Sequence, residues 1–315
     1  MKSFVALLKR EYYQYRGPLL FTPLLIAGIL FTLAMLSLWT PYRLVEALID
    51  AGPQENFAQL PEFLAGQDAA TRRDTMERLL FGVSIPFHIG WFIALLVYLS
   101  NSLYRDRRDR SLLFWKSLPI SDTRSVAAKV VSASLVGPAI MWSTIVVIHL
   151  LLLMLLAIMA WRSGVPVWDT VLLPGNPFSV WLRLGLGYLL QMGWYLPLFG
   201  YLLLASAHAR KSPQLYVFGP LLVLALLEGM LSRSIEFLRL LQVRAWGGPV
   251  PMVLKIPNGM VGFPIELDQT NLDYHVIHWQ ELQAFLLQPA YWLGLVPGLL
   301  MIVVAIRACR YHEDL

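Results

Sequence analysis

The chain has 315 residues, 57% of them hydrophobic and only 14% charged, with a formal net charge of +5 and a mean hydropathy of +0.59. Soluble domains average about 25% charged residues, and several runs here exceed the roughly 18 apolar residues that mark a membrane span; the composition excludes a soluble enzyme and requires no nucleic-acid partner. One cysteine, Cys309, excludes an intrachain disulfide and a cysteine-cluster metal site.

The N-terminal stretch MKSFVALLKREYYQYRG has its apolar run broken by Lys9 and Arg10 and lacks a small-residue cleavage site, so no cleavable signal peptide is expected. On a helical wheel Phe4, Val5, Leu7, Leu8, Tyr12 and Tyr15 gather on one side and Lys2, Lys9, Arg10 and Arg16 on the other. That pattern suits a helix lying in the membrane interface, with Gly17-Pro18 as the bend into the first span; an ordinary positive flank is the simpler alternative.

Six spans follow, at about 18–39, 80–104, 130–161, 180–207, 213–231 and 286–306. Each is expected to be a helix, because backbone groups in lipid must be satisfied internally. The third run, 32 residues long, would reach ~48 Å, against a hydrocarbon core of ~30 Å. It must project from the membrane, or kink at Gly137-Pro138.

Fifteen of the 25 Lys and Arg residues fall in short segments on one side of these spans: the N-terminus, the 105–129 loop, Arg210-Lys211 and the tail. The positive-inside rule places that side, with both termini, in the cytoplasm. Two longer segments, 40–79 and 232–285, are then external and carry most of the acids. No internal repeat is visible.

The 105–129 loop is unusual. Arg105 to Arg110 are all charged, the apolar run Leu112-Leu113-Phe114-Trp115 follows, and Leu118-Pro119 closes it. Residues 111–118 can form two helical turns that stop before Pro119. Ser121 is the expected N-cap of the third span, with Asp122 in its first turn. Two readings stay open: apolar residues resting among headgroups, or a docking helix that inserts Leu112, Leu113, Phe114, Trp115 and Leu118 into a partner groove, approached by Arg105, Arg107, Arg108 and Arg110.

This run, Asp109-Arg110-Ser111-Leu112-Leu113-Phe114-Trp115-Lys116-Ser117-Leu118-Pro119-Ile120-Ser121, resembles the coupling-helix motif of ABC-2 type transporter permeases, the membrane subunits of bacterial and archaeal exporters. The six-span pattern extends the resemblance over the whole chain. Two features depart from the family: Phe114-Trp115-Lys116 where Glu-Leu-Leu is usual, and the long external segments. The resemblance implies an all-α membrane protein with an interfacial N-terminal helix and a cytoplasmic coupling helix, forming one permease domain over 1–315. It implies a homodimer with two copies of an ABC ATPase, in the cytoplasmic (inner) membrane. ATP and Mg would then bind the partner ATPase; this chain has no G-x-x-x-x-G-K-[ST] phosphate loop and no expected catalytic residue or cofactor. The competing classes are an intramembrane enzyme and a non-transporting sensor or structural subunit.

Four ionisable residues fall inside spans: His88, His149, Arg183 and Glu228. Such groups are costly in lipid and usually face a cavity or each other. They could line a substrate exit path, or pair internally, for instance Glu228 with Arg183. Gly185, Gly187 and Gly193 in the fourth span permit close helix approach, at a dimer seam or within the chain. In the second external segment His275 and His278 sit one turn apart with Asp273 and Glu281 nearby. That spacing is a weak metal candidate; a solvated surface helix leading to the sixth span explains it better.

Overall fold

The computed structural model describes residues 2–37, 59–108, 121–250 and 276–311. Among them the chain is helical with no strand, as the spans require. Five helices are long and apolar enough to cross a membrane, or six if one bent pair counts as a single span.

Helix α1 (Lys2–Gln14) leads through a π-helical turn (Gly17–Phe21) into α2 (Thr22–Ser37). The expected bend at Gly17-Pro18 is therefore no break. Leu19 N–H still reaches Tyr15 O at 3.1 Å, and Thr22 N–H bonds Gly17 O one residue further back than in an α-helix. A short α3 (Leu60–Gly66) precedes α4 (Ala69–Arg108). Helix α4 is one continuous element of 40 residues, not the shorter span 80–104, and reaches ~60 Å. Asp68 starts it: its carboxylate accepts Thr71 N–H at 3.0 Å, Ala70 N–H at 2.9 Å and the Thr71 hydroxyl at 2.8 Å. The Thr71 bonds hold the Asp68 carboxyl below its ordinary pKa.

The third span is also longer than the apolar run. Helix α5 (Asp122–Val131) passes through a second π turn (Ser132–Val136) into α6 (Gly137–Arg162). Ser121 caps α5 as expected, accepting Arg124 N–H at 3.4 Å. The Gly137-Pro138 signal is absorbed by the π turn: Pro138 brings no N–H, and Gly137 N–H bonds Ser132 O.

The fourth span is broken. Helices α7 (Pro177–Trp194) and α8 (Leu196–His208) meet at Tyr195, and the segment Trp168–Trp194 is bent 53° from α8. Pro197 has no N–H to continue the ladder there. Helices α9 (Pro213–Leu231), α10 (Glu236–Trp246), α11 (Trp279–Leu287) and α12 (Pro289–Tyr311) complete the described chain. Helix α9 begins and ends where its apolar run does; α10 and α11 lie on either side of residues 251–275, which fall outside the described residues.

Helices α8 and α12 pack backbone to backbone. A Cβ on Gly200 would stand 2.5 Å from Gly298 O, and one on Gly298 would stand 2.6 Å from the Leu196 carbonyl carbon. Gly200→Ala is therefore expected to cost about 1–3 kcal/mol by forcing these helices apart. Gly229→Ala, where nothing lies within 4 Å, should cost nothing. Thermal unfolding of both purified variants in detergent checks the contrast.

Candidate functional site

Two polar constellations lie at opposite ends of the bundle. The first is assembled around Lys129 on α5, whose side chain is fully buried. Its ammonium lies 2.9 Å from Glu11 Oε1, 3.1 Å from Glu11 Oε2 and 2.9 Å from Asp106 Oδ2. Glu11 and Asp106 are themselves buried, at 1% and 2% exposure. Arg10 Nη2 meets Asp106 Oδ1 at 2.5 Å, and the Tyr98 hydroxyl donates to Glu11 Oε2 at 2.9 Å. Two cations thus face two carboxylates, which is what allows charge to be buried at all. The elements tied together are α1, the last turns of α4 and the whole of α5.

Sequence alone missed this cluster. On α1 the buried stripe is Leu7, Glu11 and Tyr15, four residues apart, so a lone acid sits on the apolar face. On α5 Lys129 stands three residues after buried Val126. Each charge breaks an amphipathic pattern, and those two violations were the available signal.

Of the basic residues expected to flank the docking helix, Arg105 lies with its guanidinium 5.7 Å from the Tyr15 ring centre. Arg107 Nη2 donates to Ser206 O at 2.7 Å and Ala209 O at 3.0 Å, closing the C-terminal end of α8 where a cation is favoured. Arg108 lies 5.8 Å from the Tyr104 ring centre. Arg110, Leu112, Leu113, Phe114, Trp115 and Leu118 lie outside the described residues. Their two stems do not: α4 ends at Arg108, α5 begins at Asp122, and both are held by the Lys129 cluster. Helix α12 also packs against α5, so the N-terminal helix, both loop stems and the last span meet at one end.

The second constellation runs along the contact of α4, α6 and α7. Arg183 Nη2 pairs with Glu77 Oε2 at 3.0 Å and Arg183 Nη1 donates to Ile277 O at 3.0 Å. His88 Nδ1 and the Tyr188 hydroxyl are 2.6 Å apart, and Trp181 Nε1 donates to His149 Nδ1 at 3.1 Å. His88, His149 and Arg183 are all buried. The structure thus brings three of the four intramembrane candidates into one seam, bonded to groups of the same chain. Glu228 is elsewhere and half-buried. It accepts Ser234 Oγ–H at 2.6 Å and Phe237 N–H at 2.9 Å, and so caps α10. The suggested Glu228–Arg183 pair does not form, because Glu77 takes the arginine.

The glycines of α7 serve contacts within the chain. Gly185 faces the Trp142 indole, and Gly193 leaves room for the Tyr291 ring. A Cβ on Gly187 would stand 3.2 Å from Val250 Cγ2 and 3.5 Å from Ile277 Cδ1. One turn away on each side, Gln191 Oε1 accepts Val250 N–H at 3.2 Å and Arg183 holds Ile277 O. Arg183, Gly187 and Gln191, spaced by four on one face of α7, therefore fasten both ends of the stretch between 250 and 277. The weak metal candidate is not assembled among the described residues, which hold no group of three or more metal-ligating side chains. His278 stands before the first turn of α11, its N–H bonding Glu281 Oε2 at 3.2 Å; His275 lies outside the described residues.

The first constellation braces and the second fastens. The chain matches no family model, no curated protein and no solved structure.

Proposed function

We propose that this chain is the membrane permease subunit of an ABC-2 type exporter, working as a homodimer with two copies of a separate ATPase. The observation that carries the reading is the Lys129 cluster. The segment bearing the Leu-Leu-Phe-Trp…Leu-Pro-Ile-Ser motif is only twelve residues long between Arg108 and Ser121, and both of its stems are locked into one buried ionic block. A segment that receives force from a partner needs stems that do not yield; one that merely rests among headgroups does not. Helix α1 is bonded into the same block, and the basic ends of the spans gather around it. The 40-residue α4 and the 41 residues of Asp122–Arg162 project beyond the ~30 Å core, giving the motif reach into the cytoplasm. The seam of His88, His149 and Arg183 then belongs to the external half of the permease. Its internal bonding supports a structural role over a substrate path.

Two measurements test this. Affinity purification of the tagged chain from its native membrane should bring an ABC ATPase with it, which neither an intramembrane enzyme nor a stand-alone sensor would do. With Cys309 replaced by serine, single cysteines at Arg16 and Arg124 should be shielded from an impermeant thiol reagent in intact cells, while one at Gln67 should react. The reverse pattern would place the motif outside the cell and end the proposal.

A further inference from the structure

The described residues hold three π turns, the third at Trp168–Leu172, and the first two are not independent irregularities. Each is built around a Gly-Pro pair: Gly17-Pro18 opens the first, and Gly137-Pro138 follows directly on the second. They also meet. A Cβ on Gly137 would stand 3.3 Å from Leu19 Cδ2. Pro18, Leu19, Ala133 and Gly137 share a void of about 10 Å³ with Trp91 and Tyr98 of α4. Two helices that lie side by side thus each lose regular hydrogen bonding at one common level.

The packing on either side of that level differs in kind. On one side α1 and α5 are clamped to each other by Glu11 and Lys129, and to the end of α4 by Asp106. On the other side α2 and α6 pack together, and part along an open groove of about 710 Å³ between Leu24 and Ile140 that is lined mainly by apolar residues. The hydroxyls of Ser143 and Thr144 beside this groove bond back to their own helix, to Ala139 O and Ile140 O. Sharp changes in helix direction arise at prolines and π turns, where a backbone bond is already missing and bending breaks no further one.

We propose that the paired Gly-Pro π turns form a two-strand hinge on which α1 and α5, clamped as one unit by the Lys129 cluster, tilt against α2 and α6. The hinge would turn a tilt of α1 and α5 into a change in the angle between the two membrane helices. It is a property of this chain alone and stands whether or not an ATPase is the partner.

The test uses EPR distance distributions on the full chain in lipid nanodiscs, in a Cys309→Ser background. Labels at Tyr13 and Val147, both more than half exposed, span the hinge. Labels at exposed Tyr13 and Arg124 lie within the clamped unit. The spanning pair should give a broad or two-component distribution and the inner pair a narrow one. Pro18→Ala with Pro138→Ala restores two N–H donors, and should narrow the spanning distribution about twofold while leaving the inner one unchanged. A spanning distribution as narrow as the inner one overturns the hinge, and so does an inner distribution as broad as the spanning one. A broad distribution that the proline variant leaves untouched removes the π turns as its cause. If the proline variant does not fold, the contrast between the two pairs in the parent chain decides.

Discussion

On the proposed reading, replacing Phe114 and Trp115 together by alanine is expected to release a bound ATPase while the protein still inserts and folds. A large apolar side chain contributes about 1.5–3 kcal/mol on burial. A central aromatic anchor at an interface can carry roughly 2 kcal/mol or more, about thirtyfold in affinity. The two rings sit in the middle of the twelve residues between Arg108 and Ser121, flanked by Arg105, Arg107, Arg108 and Arg110. Of these, Arg107 is committed to the end of α8. If this basic cluster steers an acidic partner surface, binding should weaken as salt rises. Pull-down of the ATPase with parent and variant permease, together with the ATPase rate in the presence of each, reads the effect. An undiminished complex with unchanged stimulated hydrolysis would show that the rings only anchor the loop in headgroups.

Lys129→Met is the second large effect, and it acts on stability. The ammonium is fully buried between two carboxylates that are themselves almost inaccessible. Removing it leaves Glu11 with the Tyr98 hydroxyl and without its cation, and leaves Asp106 with Arg10. Breaking a buried ion pair by removing one partner costs about 3–5 kcal/mol, because the other charge stays behind unpaired. Adding Glu11→Gln should recover much of the loss, since the Glu11–Lys129 pair is then replaced by neutral groups and Asp106 keeps Arg10. Thermal unfolding of the single and double variants checks this. A double variant no more stable than Lys129→Met would mean that packing volume, and not the uncompensated carboxylate, governs the site. The expected signature also includes release of α1, read as faster proteolysis within residues 2–14.

How much of this was legible beforehand depended on the kind of signal. The Ser121 cap and the extent of α9 follow from local chemistry: a hydroxyl placed to accept from the first turn, and an apolar run ended by polar residues. The lengths of α4 and α5–α6 did not follow. Hydropathy marks where lipid begins, and a helix does not stop there when capping, as by Asp68 and Ser121, and packing sustain it. The break at Tyr195 was masked because residues 180–207 remain apolar through it, and Pro197 alone does not say whether a helix kinks or divides. The bonding of Glu228 was hidden for a related reason. Its position in the apolar run suggested a membrane site, yet it sits at the end of α9 and bonds the first residues of α10.

By itself the sequence determined that the chain is helical and built from several apolar spans, because a backbone in hydrocarbon must bond to itself and because apolar runs of that length have no other use. It also determined where α5 and α9 begin and which loop carries an unusual apolar surface. Only the tertiary structure decided which charges are structural. Glu11, Asp106 and Lys129 are separated by 95 and 23 residues along the chain, and no pattern of spacing links them. They become one cluster only when α1, α4 and α5 converge. The same holds for Arg183 with Glu77, and for the two Gly-Pro turns that meet at Leu19 and Gly137. Burial turns a charge from a solvated surface feature into a group that must find a partner, and burial is a property of packing, not of local sequence.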